Sequence, residues 1–148
     1  MIAYADTSWW VGYKNASDSQ HARAIGLFDR HPGGTVLLTP WQRVEVFNAF
    51  RQLERIGSLP NQPAAGFTRA LENEVRLGYW PHVEFSWTDA LRTANELSAV
   101  HSRDLLIRGM DLFHVAIALD IGAETFLTFD TDQAALAKTA GLAVWDGK

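Results

Sequence analysis

Cysteine is absent from this chain, which removes disulfide frameworks, thiolate nucleophiles and thiolate zinc sites together and agrees with a reducing compartment. Positive charge is also scarce. Thirteen Lys and Arg stand against seventeen Asp and Glu, for a formal net charge of -4 and a pI near 5.7. A protein that coats nucleic acid through bulk charge has the opposite footprint, so any such contact has to be local. No run approaches the ~18 apolar residues of a membrane span. The N-terminal residues also lack the basic, apolar and small-residue segments of a secretory signal. A cytoplasmic protein with no membrane association is the expectation. Repeats, low-complexity tracts and dividing linkers are missing too, so the 148 residues are expected to form a single domain, 1–148.

What is present is a pattern of short apolar runs separated by helical stretches. Ile2 to Ala5, Thr35 to Leu38, Phe126 to Thr128 and Leu142 to Trp145 have strand length and little alternation, as strands buried on both faces do. His82 to Phe85 is a weaker fifth. Pro40 suits a first helical position after an N-cap Thr39, and Val44, Phe47, Leu53 and Ile56 share one broad apolar stripe that ends near Gly57. A second helix is expected after Pro60, and a third from Ser86, where Ser86-Trp87-Thr88-Asp89 resembles a capping box. DLFHVAIALD, Asp111 to Asp120, is apolar on almost all sides and reads as a buried helix stopped by Gly122. Strands alternating with helices predict an α/β fold of three layers, α/β/α, around a central parallel sheet of four to five strands.

In such sheets ligands bind beyond the carboxyl ends of the strands. Asp6 and Asp130 each follow a predicted strand, Glu45 lies among apolar residues of a helix, and Asp111 opens the buried one. Asp6, Asp111 and Asp130 have an ordinary explanation as caps or first-turn acids, and Asp130-Thr131-Asp132-Gln133 reads as a capping box. Glu45 has no such excuse, being too far into its helix to cap it and on or near an apolar face. Four carboxylates at one site repel unless protons or cations neutralise them, and with oxygen ligands alone the natural cations are Mg²⁺ or Mn²⁺. Thr7, Ser8 and Thr128 are placed to hydrogen-bond the acids or a bound water, and Asn48, one turn beyond Glu45, to orient it. His114, one turn after Asp111, is read as a core residue before a catalytic one.

Four blocks, YADTS, VEVFNAF, RGMDLFHVAIAL and FLTFDTD, run in an order and spacing that resembles the PIN domains, and within them the VapC-type toxins of toxin–antitoxin pairs. The resemblance implies a metal-dependent endoribonuclease that cuts selected RNA and is neutralised by a cognate antitoxin. It also implies a homodimer, and a Mg²⁺ or Mn²⁺ site formed by Asp6, Glu45, Asp111 and Asp130, with Asp132 as an outer acid. Ten of the thirteen cationic residues are Arg, whose planar fork suits phosphate oxygens. Arg43, Arg103 and Arg108 are the expected RNA contacts at the rim. The six tryptophans are read as packing residues whose ring N–H groups find partners. The stretch from Pro60 to Trp80, with a two-helix character and scattered aromatics, is a candidate for part of a partner-binding surface.

Two rivals remain. Aspartyl-phosphate chemistry wants D-x-D after the first strand or a late strand-end Lys, and both are missing. A non-catalytic α/β module that holds RNA or protein is the other alternative.

Overall fold

The computed structural model describes residues 1–147. In chain order the elements are β1 (Ile2–Ala5), α1 (Thr7–Lys14), α2 (His21–Arg30), β2 (Thr35–Leu37), α3 (Pro40–Arg55), α4 (Ala64–Arg76), α5 (Trp87–His101), α6 (Gly109–Asp120), β3 (Thr125–Leu127), α7 (Thr131–Thr139) and β4 (Ala143–Trp145). The four strands form one parallel sheet in the order β2-β1-β3-β4. Because Ala5 pairs with Leu127, the residues that follow them, Asp6 and Thr128, leave the sheet side by side.

Alternation along β1 divides the core. Ala3 and Ala5 face a layer built from α1 to α4, whereas Tyr4 faces α5, α6 and α7. The first layer is aromatic: Trp9 and Trp10 are fully buried, Trp9 stacks on Tyr13, and Trp10 meets Trp80 edge to face. Burying rings of this size is worth on the order of 4–6 kcal/mol each before entropy is counted. The second layer is mostly aliphatic, from Val115, Ala116, Ile117 and Ala118 of α6 to Leu136 and Ala137 of α7. Their continuous burial explains why the α6 sequence is apolar all round.

Local chemistry fixes the helix starts. Thr39 and Gln42 form a reciprocal capping box at α3, and the Gln42 side chain also donates to the Ala5 carbonyl at 2.6 Å. That bond ties the α3 N-terminus to the carboxyl end of β1. Ser86 caps α5 by accepting from the Asp89 N–H. Gly122, at φ 75°, takes the left-handed conformation that lets the chain leave α6. At Gly12 the requirement is space, since a Cβ would stand 3.2 Å from the Phe129 ring.

The structure departs from the sequence reading in five places. Val44 and Ile56 of the expected α3 stripe are exposed, and the helix buries Val46 and Phe50 instead. The fifth strand reduces to a single parallel bridge between Leu38 and His82, because Pro81 has no N–H with which to extend a ladder. The helix after Pro60 begins at Ala64, whose N–H is received by Glu54 of the preceding helix, and Pro60 to Trp80 holds one helix rather than two. Helix α2 was not anticipated, since Gly26 interrupts its pattern. Finally, the indole N–H groups of Trp9, Trp10, Trp41 and Trp145 are buried without a protein acceptor, whereas Trp80 donates to Glu74 at 2.6 Å. Glu74 also ion-pairs with Lys14, joining α4 to α1.

Candidate functional site

The carboxyl ends of β1 and β3 open into a cleft of about 580 Å³ lined by Asp6, Thr7, Ser8, Glu45, Arg108, Gly109, Met110, Asp111, His114, Asp130 and Gln133. The four carboxylates singled out from the sequence therefore share one cavity.

Asp6 forms its floor and is only 4% exposed. As the N-cap of α1, its Oδ1 accepts from the Trp9 N–H at 3.0 Å and from the Ser8 hydroxyl at 2.7 Å, and Oδ2 accepts from the Thr128 hydroxyl at 2.6 Å. Burial pushes the Asp6 carboxyl pKa up, while the donors Ser8, Thr128 and Trp9 N–H and the nearby His114 pull the other way. The ion pairs in the cleft go to Glu45, Asp111 and Asp130. Among the described residues no cation pairs with Asp6.

Glu45 reaches the cleft from the second turn of α3. It accepts from the Thr7 hydroxyl at 3.2 Å and pairs with Nε2 of His114. His114 is buried, with Nδ1 2.7 Å from the Tyr4 hydroxyl. Burial and the Glu45 charge raise the Tyr4 pKa well above its ordinary value, so the phenol keeps its proton. With Nε2–H given to Glu45, Nδ1 is the acceptor of that proton. His114 is thus both a satisfied core residue and a partner of a cleft acid.

The opposite rim is built differently. Asp111 is the third residue of α6, two positions later than a helix opening there would place it. Asp130 caps α7 by accepting from the Gln133 N–H at 2.9 Å, and its own N–H donates to Thr128 at 2.9 Å. The Arg108 guanidinium spans the two acids, with Nε 3.0 Å from Asp111 and Nη2 3.8 Å from Asp130. Arg108 itself is 79% exposed. Its contacts with Asp111 strengthen its hold on its proton.

Other expected residues lie elsewhere. Thr128 is buried beneath the floor, joining Asp6, Asp130 and Gln133 through one hydroxyl. Asn48, Asp132, Arg43 and Arg103 are outside the cleft lining. Arg43 pairs with Glu72 of α4, Asp132 is exposed in the first turn of α7, and Arg103 is exposed in the turn after α5. Gln133 escaped the sequence reading, which treated it as half of a capping box. Its backbone does receive the cap, but its side chain stands between Thr128, at 3.3 Å, and Asp111, at 3.4 Å.

The donor set suits a hard divalent cation: four carboxylates, hydroxyls behind them and no thiol. Among the described residues no three acids or imidazoles are drawn together as a ready ligand set. Glu45 instead pairs with His114 and Asp111 with Arg108, and Asp6 keeps neutral donors alone.

The PIN domain family matches residues 3–139 of the chain. No curated relative matches it in sequence. Among solved structures, the chain resembles Mycobacterium tuberculosis VapC20, a sarcin–ricin loop cleaving toxin. The TM-score is 0.65 at 20% identity, covering 95% of this chain and 96% of that one. It also resembles VapBC2 from Rickettsia felis bound to a promoter DNA fragment, with a TM-score of 0.64, 16% identity and 97% of each chain covered. For VapBC-1 from nontypeable Haemophilus influenzae the TM-score is 0.64 at 14% identity, covering 99% of this chain and 98% of that one. At these identities the likeness is one of fold.

Proposed function

Because the chain belongs to the PIN-domain family, we propose that it is a metal-dependent endoribonuclease, the toxin of a VapC-type toxin–antitoxin pair acting in the cytoplasm as a homodimer. The observation that carries this reading is Asp6: a buried carboxylate, unpaired with any cation, at the floor of a cleft walled by three more acids. A buried charge of that kind is costly unless something neutralises it. Asp6, Glu45, Asp111 and Asp130 would hold Mg²⁺ or Mn²⁺, which supplies activation of the attacking water and shielding of charge at phosphorus.

The chain's own residues do the rest. Ser8, Thr128 and the Trp9 N–H fix the Asp6 oxygens, so the floor of the site is positioned before ligand arrives. His114, backed by Tyr4, holds Glu45 at the wall of the cleft. Arg108 reaches the rim on a solvent-exposed arm, where its guanidinium can leave Asp111 and Asp130 for a phosphate oxygen of RNA. Neutralisation by an antitoxin follows if the partner covers this mouth, and the VapBC assemblies among the structural relatives support that partner.

The test is cleavage of total RNA by purified, partner-free protein with Mg²⁺, Mn²⁺ or chelator, with the RNA ends sequenced. Divalent-dependent cuts at selected sites are expected. If no RNA is cut with either ion, and Asp6→Asn and Asp111→Asn bind RNA as the parent does, the non-catalytic binding module is the correct reading.

A further inference from the structure

A second groove, of about 570 Å³, runs between α3 and α4 and is lined by Phe47, Arg51, Ala65, Thr68, Arg69, Glu72, Asn73 and Arg76. Its charge runs against the acidic balance of the chain. Glu72 is the one acid in the lining, and Arg43 already pairs with it. The three lining arginines have no carboxylate within ion-pairing distance among the described residues, and Arg76 donates to the neutral Asn73 side chain. Helical spacing explains the concentration: Arg43, Phe47 and Arg51 fall on one ridge of α3, and Arg69, Glu72, Asn73 and Arg76 on the facing ridge of α4. The guanidinium carbons of Arg43 and Arg51 lie 5.9 and 6.0 Å from the centre of the Phe47 ring.

We propose that this groove binds the sugar–phosphate backbone of single-stranded RNA and carries the strand away from the acidic cleft. Three features favour RNA over an acidic protein segment. Unpaired guanidiniums present forks that match phosphate oxygens. Thr68 and Asn73 add neutral donors beside them. A bound peptide would want deep apolar pockets for anchor side chains, and the lining offers only Phe47 and Ala65. Proximity along α3 favours it too, since that helix carries Glu45 into the cleft and Arg51 into the groove, about 9 Å apart along the axis and about 120° apart around it. The four acids cannot attract a polyanion, so affinity has to come from a surface of opposite sign beside them.

The proposal rests on RNA being the substrate class, but its test is separable from catalysis. Binding of a mixed-sequence RNA of about 12 nucleotides is followed by fluorescence anisotropy in chelator, across salt from about 50 to about 200 mM. The double variant Arg51→Gln, Arg69→Gln is compared with Arg92→Gln, Lys138→Gln, which removes equal charge from exposed positions on α5 and α7. The groove variant is expected to bind on the order of 10-fold more weakly, with a salt slope shallower by about 1.4, while the control stays near the parent. Equal affinity and slope in the two variants would overturn the proposal, as would loss of poly-glutamate binding with RNA binding unchanged. Groove-dependent binding without any divalent-dependent cleavage leaves the groove standing and removes the nuclease reading. Cleavage with unchanged KM in the groove variant does the reverse.

Discussion

The two sides of the acidic cleft hold their carboxylates by opposite means. On the floor, Asp6 is buried and locked by three short-range donors, two of which, Ser8 and Thr128, are themselves fixed to the backbone N–H groups of Phe129 and Asp130. At the rim, Asp111 and Asp130 share one guanidinium on an arm that is 79% exposed. A buried network of this kind resists reorganisation, whereas an exposed ion pair is weak and quickly remade. The difference separates a fixed carboxylate from an adjustable pair. Substitutions on the two sides should therefore differ in kind, with floor changes affecting chemistry and rim changes affecting entry.

The largest effect is expected from Asp6→Asn. Divalent-dependent cleavage should fall by at least about 10²–10³-fold, and stabilisation by Mg²⁺ or Mn²⁺ in thermal melts should vanish. The fold should survive, because Asn can still accept from Trp9 and Ser8 and can donate to Thr128, whose hydroxyl then turns to Gln133. The pKa direction adds a sign. Burial raises the Asp6 pKa, so its ionisation costs the folded state nothing below the ordinary carboxylate range, a growing amount as pH rises from that range toward the raised folded value, and the full amount above it. Without metal, Asp6→Asn should melt no lower than the parent at neutral pH, and the gap should narrow on acidification. A metal-free variant clearly less stable at neutral pH would break the contrast.

Thr128→Val comes next. It keeps the shape but strips a donor from Asp6 and an acceptor from the Asp130 N–H, which should cost about 1–3 kcal/mol by urea unfolding and roughly 10–100-fold in cleavage. His114→Gln should be milder, about 10-fold in kcat, since Thr7 still holds Glu45. Arg108→Gln should be the smallest and should split its effects: divalent affinity, by calorimetry, a few-fold tighter as the competing cation is removed, and RNA affinity a few-fold weaker. If Arg108→Gln instead abolished cleavage as completely as Asp6→Asn, the rim would be as rigid as the floor and the comparison would fail.

The positions of the four acids were legible because the signals are local. Asp6 and Asp130 follow apolar runs of strand length, and Glu45 is a charge embedded among apolar residues. The parallel order of β1 and β3 then follows from burial on both faces. What stayed hidden depends on three-dimensional pairing. Nothing in DLFHVAIALD says that His114 bonds Tyr4 on one side and Glu45 on the other, because those partners are 110 and 69 residues away along the chain. Gln133 illustrates a subtler limit: its capping role is real and local, and it masks where the side chain goes. The groove arginines were visible as residues, but their sharing of one surface needed α3 and α4 to be packed together.

Strand β1 sits in the middle of the sheet although it comes first in the chain, with β2 on one flank and β3, residues 125–127, on the other. During synthesis, therefore, β1 waits for its second neighbour until residues 125–127 have been made, and Asp6 waits as long for the Thr128 hydroxyl. A polypeptide that ends before β3 lacks Thr128 and Asp130, and with them one of the donors that fix Asp6 and part of the cleft wall. The acidic cleft therefore takes shape only once the chain through Asp130 has been made and β3 has paired with β1.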